Sequence, residues 1–147
     1  MYKKIDGKLI SAAVKERVKL EVEALKSEGI TTGLAVIIVG EDPASKVYVA
    51  HKKKACEALG IISEEYALPE TTTQEELLAL IDELNHKKSI NGILCQLPLP
   101  KHLDESIVVN NIDSSKDVDA FHPVNTGKIM IGDFSFVPCT PQGVMHL

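Results

Sequence analysis

Lys52 is the residue of this sequence best placed for proton chemistry. On a helix starting at Pro43, with about 100° of rotation per residue, Lys46, Lys53 and Glu57 share one charged side. Ser45, Tyr48, Lys52, Ala55, Cys56 and Leu59 share another arc. Lys52 therefore sits among small and apolar side chains, with Tyr48 four residues before it and so beside it on the helix. A lysine serves as an acid or base when its pKa falls toward neutrality, and burial or nearby positive charge pushes it that way. Lys53, Lys54 and the helix start supply such charge. The alternative is a lysine whose stem covers apolar surface while its ammonium reaches water. Tyr48 alone equally suits packing with a satisfied hydroxyl.

Two other segments carry polar groups that can meet such a lysine. Gln96 ends an otherwise apolar run, where its amide can hydrogen-bond a lysine in a cleft or merely pair with a loop backbone group. Leu97-Pro98-Leu99-Pro100 then makes a stiff exit that either walls an apolar ligand or turns the chain. Lys116-Asp117-Val118-Asp119 puts two carboxylates on one side if extended. A carboxylate matches a flat, amidine-like pair of N–H donors by bidentate geometry. The other reading is a solvated acidic loop. His122, before Pro123, suits a structural role.

These residues need elements to hold them. Leu9, Ala13, Val14, Val18, Val22 and Leu25 recur at the helical period, which predicts an amphipathic helix over 8–28 with Gly29 near its end. Residues 34–39 are a continuous, β-branched run, suited to a strand buried on both faces. Asp42 as N-cap and Pro43 as first residue open a helix over 43–59, closed by Gly60. Ile61, Ile62 and 66–68 predict a second strand. A helix over 74–86 follows, with Glu75 and Glu76 in its first turn. Residues 92–96 make a third strand and 103–111 a short helix. From Asp113 onward the pattern predicts loops with short extended pieces. Strands alternating with helices predict an α/β fold, a three-layer αβα arrangement with a mainly parallel sheet flanked by helices. In such folds ligands sit beyond the carboxyl ends of the strands. That rule points to the turn after Val39, the end of the third strand and the 113–125 loop.

Composition narrows the classes. A chain of 147 residues, 44% apolar and 25% charged, suits one globular domain. A net charge of -5 argues against a nucleic-acid partner, whose phosphates need a basic stripe. No apolar run approaches the ~20 residues of a membrane span, and the Met-Tyr-Lys-Lys-Ile-Asp start has no apolar signal core. Three cysteines without a signal segment suit a reducing cytosol. Their spacing matches no zinc motif and the histidines are scattered, so no metal site is expected. None of the nine glycines forms a Gly-x-Gly pair, so no dinucleotide fingerprint is present.

Four segments in order carry a family likeness. Residues 39–54, Val-Gly-Glu-Asp-Pro-Ala-Ser-Lys-Val-Tyr-Val-Ala-His-Lys-Lys-Lys, and 92–100, Gly-Ile-Leu-Cys-Gln-Leu-Pro-Leu-Pro, are the first two. Residues 116–121, Lys-Asp-Val-Asp-Ala-Phe, and 138–143, Pro-Cys-Thr-Pro-Gln-Gly, complete the set. Together they resemble the signatures of bifunctional methylenetetrahydrofolate dehydrogenase/cyclohydrolases. The likeness covers nearly the whole chain and favours the functional alternatives above.

The resemblance implies folate one-carbon chemistry. A dehydrogenase step moves hydride from 5,10-methylene-tetrahydrofolate to NADP or NAD. A cyclohydrolase step adds water to the methenyl product and opens it to 10-formyl-tetrahydrofolate. It implies Lys52 as acid/base, Gln96 as its holder, and Tyr48 as both a catalytic-site residue and a stacking surface for the folate. Asp119 would take the pterin edge, Ser45 would lie near the cleft, and Pro98 and Pro141 would wall it. It further implies a homodimeric, cytoplasmic parent enzyme. Residues 1–147 would be its N-terminal folate-binding catalytic domain, and a missing Rossmann-type domain would hold the cofactor. Without the segment that returns from that domain, an apolar patch and weakened stability or self-association are expected. A folate-binding module without turnover is the alternative.

Overall fold

In the computed structural model, residues 5–147 are described; the Met-Tyr-Lys-Lys start, and with it the reading of that stretch as lacking a signal core, lies outside them. The element order is α1 (Gly7–Ser27), β1 (Gly33–Val39), α2 (Pro43–Leu59), β2 (Ile62–Leu68), α3 (Gln74–His86), β3 (Gly92–Cys95), α4 (Glu105–Asn111), α5 (Pro123–Ile131) and α6 (Cys139–His146). The strands form one sheet in the order β2-β1-β3, with both pairings parallel. Gly33 pairs with Ile62 on one side, and Leu34 with Gly92 on the other. β1 is central because its run is apolar on both faces and almost wholly buried.

The two faces are covered differently, which gives the three layers. Ala35, Ile37 and Val39 of β1 join Leu77, Ile81 and Leu84 of α3 and Val108 of α4 in the larger core. Val36, Ile38 and Leu94 face the other way and pack with Val49 of α2. The α2 helix begins and ends where its cap residues dictate. The Ser45 N–H donates to Asp42 Oδ1 at 2.7 Å, and Gly60 takes a left-handed φ of 77°. Thr73 and Glu76 form a reciprocal capping box at α3.

The α1 helix stands where the period predicts, Gly7–Ser27, but its apolar stripe is left largely bare: only Val22 is buried, and Leu9 is 71% exposed. Ile10, Val14 and Val18 instead line an open groove toward α6. The segment after Asp113 is loop-rich as expected, but in place of short extended pieces it holds two helices, α5 and α6. Both present apolar residues to solvent, Met130 and Ile131 on one and Val144 and Met145 on the other. Among the described residues no helix is long and apolar enough to cross a membrane, and no group of three or more His, Cys, Asp or Glu could hold a metal ion.

The caps make the fold acid-sensitive. The Ser45 N–H holds Asp42 below the ordinary value of 3.8. The Ser106 hydroxyl does the same for Asp104, and the Ser115 hydroxyl for Asp113. A carboxylate whose pKa is depressed by folding stabilises fully above its unfolded value, and that stability goes as pH falls through the folded one. The melting temperature is therefore expected to be level down to about pH 5 and to drop below about pH 4. A triple Asp42→Asn, Asp104→Asn, Asp113→Asn variant should lose less on acidification than the wild type. An equal acid limb in calorimetric scans of the two would refute this.

Candidate active site

Lys52 projects from the middle of α2, and its ammonium donates to Gln96 Oε1 at 2.7 Å. Gln96 follows β3 and is fixed at both ends of its amide. Its Nε2 donates to Leu97 O at 2.8 Å, which leaves Oε1 facing Lys52. Its backbone N–H donates to Ile37 O at 2.8 Å, so the residue is tied to the central strand. The Leu97–Pro98 bond is cis. An uncharged amide oxygen accepts from an ammonium and from a neutral amine alike.

Lys52 lines a cavity of about 600 Å³. Tyr48 and Cys56 share the α2 wall with it. Leu34, Leu94 and Val118 form an apolar floor, and Asp119 enters from the loop after α4. Cys139 and Thr140, at the start of α6, close one side. The floor exists because α2 covers only part of that sheet face. Tyr48 is 61% exposed, a ring at the rim rather than a core residue. Burial pushes the Asp119 carboxyl above the usual carboxylate range; the Lys52 ammonium pulls it back and the Asp117 carboxylate raises it.

The residues expected from sequence are only partly brought together. Tyr48, Lys52 and Asp119 line the cavity, and Gln96 reaches it through Lys52. Ser45 is buried under the start of α2 and does not line it. Pro98 borders a separate groove with Gly40, Asp42 and Glu70. Pro141 follows Thr140 without itself lining the cavity. The two acidic residues part company as well: Asp117 is buried and accepts from His122 N–H and Asn125 Nδ2. His122 does have a structural place, its Nδ1 accepting the Val124 N–H as the cap of α5. The cavity also departs from the carboxyl-end rule. It runs along the sheet face toward Thr32, Gly33, Asn91 and Gly92 at the amino ends of the strands. A somewhat larger groove, about 670 Å³ between α1 and α6, contains none of the expected residues.

The turns that lead from strand to helix are filled by the protein's own side chains. Asp42, Thr73 and Asp104 satisfy the first N–H groups of α2, α3 and α4. A dinucleotide pyrophosphate needs those donors free, and Glu41 and Glu70 add negative charge beside the first turn.

Comparisons with known proteins agree with this fold. The sequence profile described as "Tetrahydrofolate dehydrogenase/cyclohydrolase, catalytic domain" matches residues 5–119. The Bifunctional protein FolD of Acetivibrio thermocellus is 63% identical over 99% of this chain and 51% of its own length. The crystal structure of FolD methylenetetrahydrofolate dehydrogenase/cyclohydrolase from Campylobacter jejuni superposes with a TM-score of 0.93 at 55% identity, over 95% of this chain and 50% of that one. The Trypanosoma brucei enzyme, solved with NADP and an inhibitor, gives 0.92 at 35% identity over 97% of this chain and 50% of that one. The chain thus spans about half the length of the curated relatives it matches. What the profile match and the capped α/β scaffold establish together is that this chain belongs to the tetrahydrofolate dehydrogenase/cyclohydrolase catalytic-domain family.

Proposed function

We propose that this chain carries the folate site and the proton-transfer lysine of a bifunctional methylenetetrahydrofolate dehydrogenase/cyclohydrolase. The observation that carries the reading is the Lys52–Gln96 hydrogen bond of 2.7 Å on the wall of a cavity shared with Asp119. Asp119 would accept the paired N–H donors of a pterin edge. Tyr48 would stack on the ligand from the rim. The methenyl carbon of the substrate is cationic and already electrophilic, so water needs orientation and proton transfer more than a metal. Lys52 would take a proton from the attacking water. It would return one to the departing ring nitrogen as the carbon–nitrogen bond breaks, with one proton released overall.

The hydride step needs NADP or NAD, whose pyrophosphate would find no free N–H donors at the three capped turns. In the parent enzyme other residues would hold it. Three free cysteines, two of them buried, suit a cytoplasmic home. The bare apolar residues of α5 and α6 suit a covering partner, either the rest of a longer chain or a second copy in a homodimer.

The test is the loss of 5,10-methenyl-tetrahydrofolate absorbance with the purified chain, after subtraction of buffer-catalysed opening. Acceleration above buffer is the expected result. Tetrahydrofolate binding without acceleration would leave the chain a binding module, and the absence of both would sink the reading. A sharper variant is Gln96→Glu. A carboxylate beside Lys52 favours its ammonium form, so hydrolysis at neutral pH should fall on the order of tenfold or more. Activity should recover as pH rises, because the neutral amine then returns. A pH profile with the wild-type midpoint would contradict the role given to Lys52.

A further inference from the structure

Asp119 stands on a short arch of chain, residues 114–122, that is held from behind by groups the proton chemistry does not use. Asp117 is 4% exposed, and its Oδ2 accepts from the His122 N–H at 2.8 Å and from Asn125 Nδ2 at 2.9 Å. Asn125, in the first turn of α5, is 3% exposed and donates a second bond to Ser114 O at 2.8 Å. One amide group therefore ties one foot of the arch to its middle. The Ile93 N–H donates to Lys116 O at 2.7 Å and fastens the arch to β3. Immediately after Asp119, Ala120 is buried in the left-handed region at φ 56°. A residue with a Cβ stays there only where its surroundings impose it.

A buried carboxylate is costly unless donors meet it. Asp117 thus commits His122 and Asn125 to fixed places, and the four residues between Asp117 and His122 inherit that order. Bidentate recognition tolerates only about 0.5 Å of error in a carboxylate's place. We infer that Asn125, acting through Asp117, is a positioning residue that sets where the Asp119 carboxylate stands in the cavity and so how tightly the site holds its ligand. The inference rests on the reading of Asp119 as the contact for a folate. Asn125 has no signal of its own in the sequence, being one polar residue after His-Pro-Val.

The test is a double-mutant cycle on the full chain, read as the dissociation constant of tetrahydrofolate measured without oxygen. Asn125→Ala should weaken binding about tenfold in the wild-type background and less than about twofold when Asp119 is already alanine. A general loosening of the fold would weaken both backgrounds by the same factor, and that result overturns the inference. Asn125→Ser, which keeps a shorter polar group, should fall between, and it carries the cycle if the alanine variant does not fold. Wild-type affinity retained in Asp119→Ala would instead overturn the folate role of Asp119. A second readout needs no ligand: amide exchange at Val118–Phe121 should quicken in Asn125→Ala relative to β1. Unchanged exchange there overturns the clamp whatever becomes of the folate reading.

Discussion

Lys52→Met is expected to reduce methenyl-tetrahydrofolate hydrolysis by a factor of ~10² to 10⁴, the usual contribution of a positioned acid or base. The fold should hardly notice. Methionine keeps an unbranched, half-buried stem of similar length against Leu34 and Leu94. The loss on the protein side is one bond, to Gln96 Oε1, at the wall of an open cavity. Tetrahydrofolate binding should survive as well, since Tyr48 and Asp119 are untouched. The measurement pairs initial hydrolysis rates with thermal melts of the same samples. A variant that keeps wild-type rates would show that Lys52 merely covers apolar surface.

The largest effect on stability is expected at Gly33, where β1 begins. A Cβ placed there would lie 2.0 Å from the carbonyl oxygen of Ser89. That neighbour is backbone and cannot rotate away. The same corner is stitched by two bonds of 2.8 Å, Gly33 N–H to Asn91 Oδ1 and Asn91 N–H to Gly33 O. Moving Ser89 aside strains both. Overpacking alone costs ~1–3 kcal/mol, and the disrupted pair adds ~1–3 kcal/mol more. Set against a total of ~5–15 kcal/mol, Gly33→Ala should remove a large share of the stability and lower the urea midpoint accordingly. Gly92→Ala is the control. Its Cβ would meet Val118 Cγ1 at 2.5 Å, a side-chain atom that can give way. Urea midpoints should separate the two variants clearly; equal midpoints would contradict the clash argument.

The sequence was most legible where local chemistry and burial agree. α2 runs from Pro43 to Leu59 and α3 from Gln74 to His86 as expected, because Asp42, Gly60 and the Thr73 capping box mark their ends. α5 and α6 escaped for the opposite reason. Each has a glycine inside it, Gly127 and Gly143, and α6 has no side-chain cap. α5 buries only the polar Asn125 and α6 nothing, so no apolar stripe faces a core. α1 was legible from its stripe and spans Gly7–Ser27 as expected, although that stripe finds little to pack on. At the site, Lys52 and Gln96 were legible as candidates, but their contact spans 44 positions and needs the β3–β1 pairing to exist. Asp117 and Asp119 are alike in sequence, and only the donors gathered around Asp117 tell them apart. The cavity's course toward the amino ends follows from how little of one sheet face α2 covers, which no spacing rule reveals.

The sheet order has a consequence for how this chain acquires its structure. β1 is the common partner of β2 and β3, and both pairings are parallel. Neither can form until the chain between the strands has been drawn closed, α2 with its turns for β1 and β2, and α2, β2 and α3 together for β1 and β3. The ordering entropy of those loops is spent before a single strand-to-strand bond is made, so assembly is governed by chain topology rather than by helix propensity. It follows that β2 and β3 both depend on β1 for their pairing. The strand that supplies the Gln96 anchor and the strand at the far edge rise and fall together with the one between them.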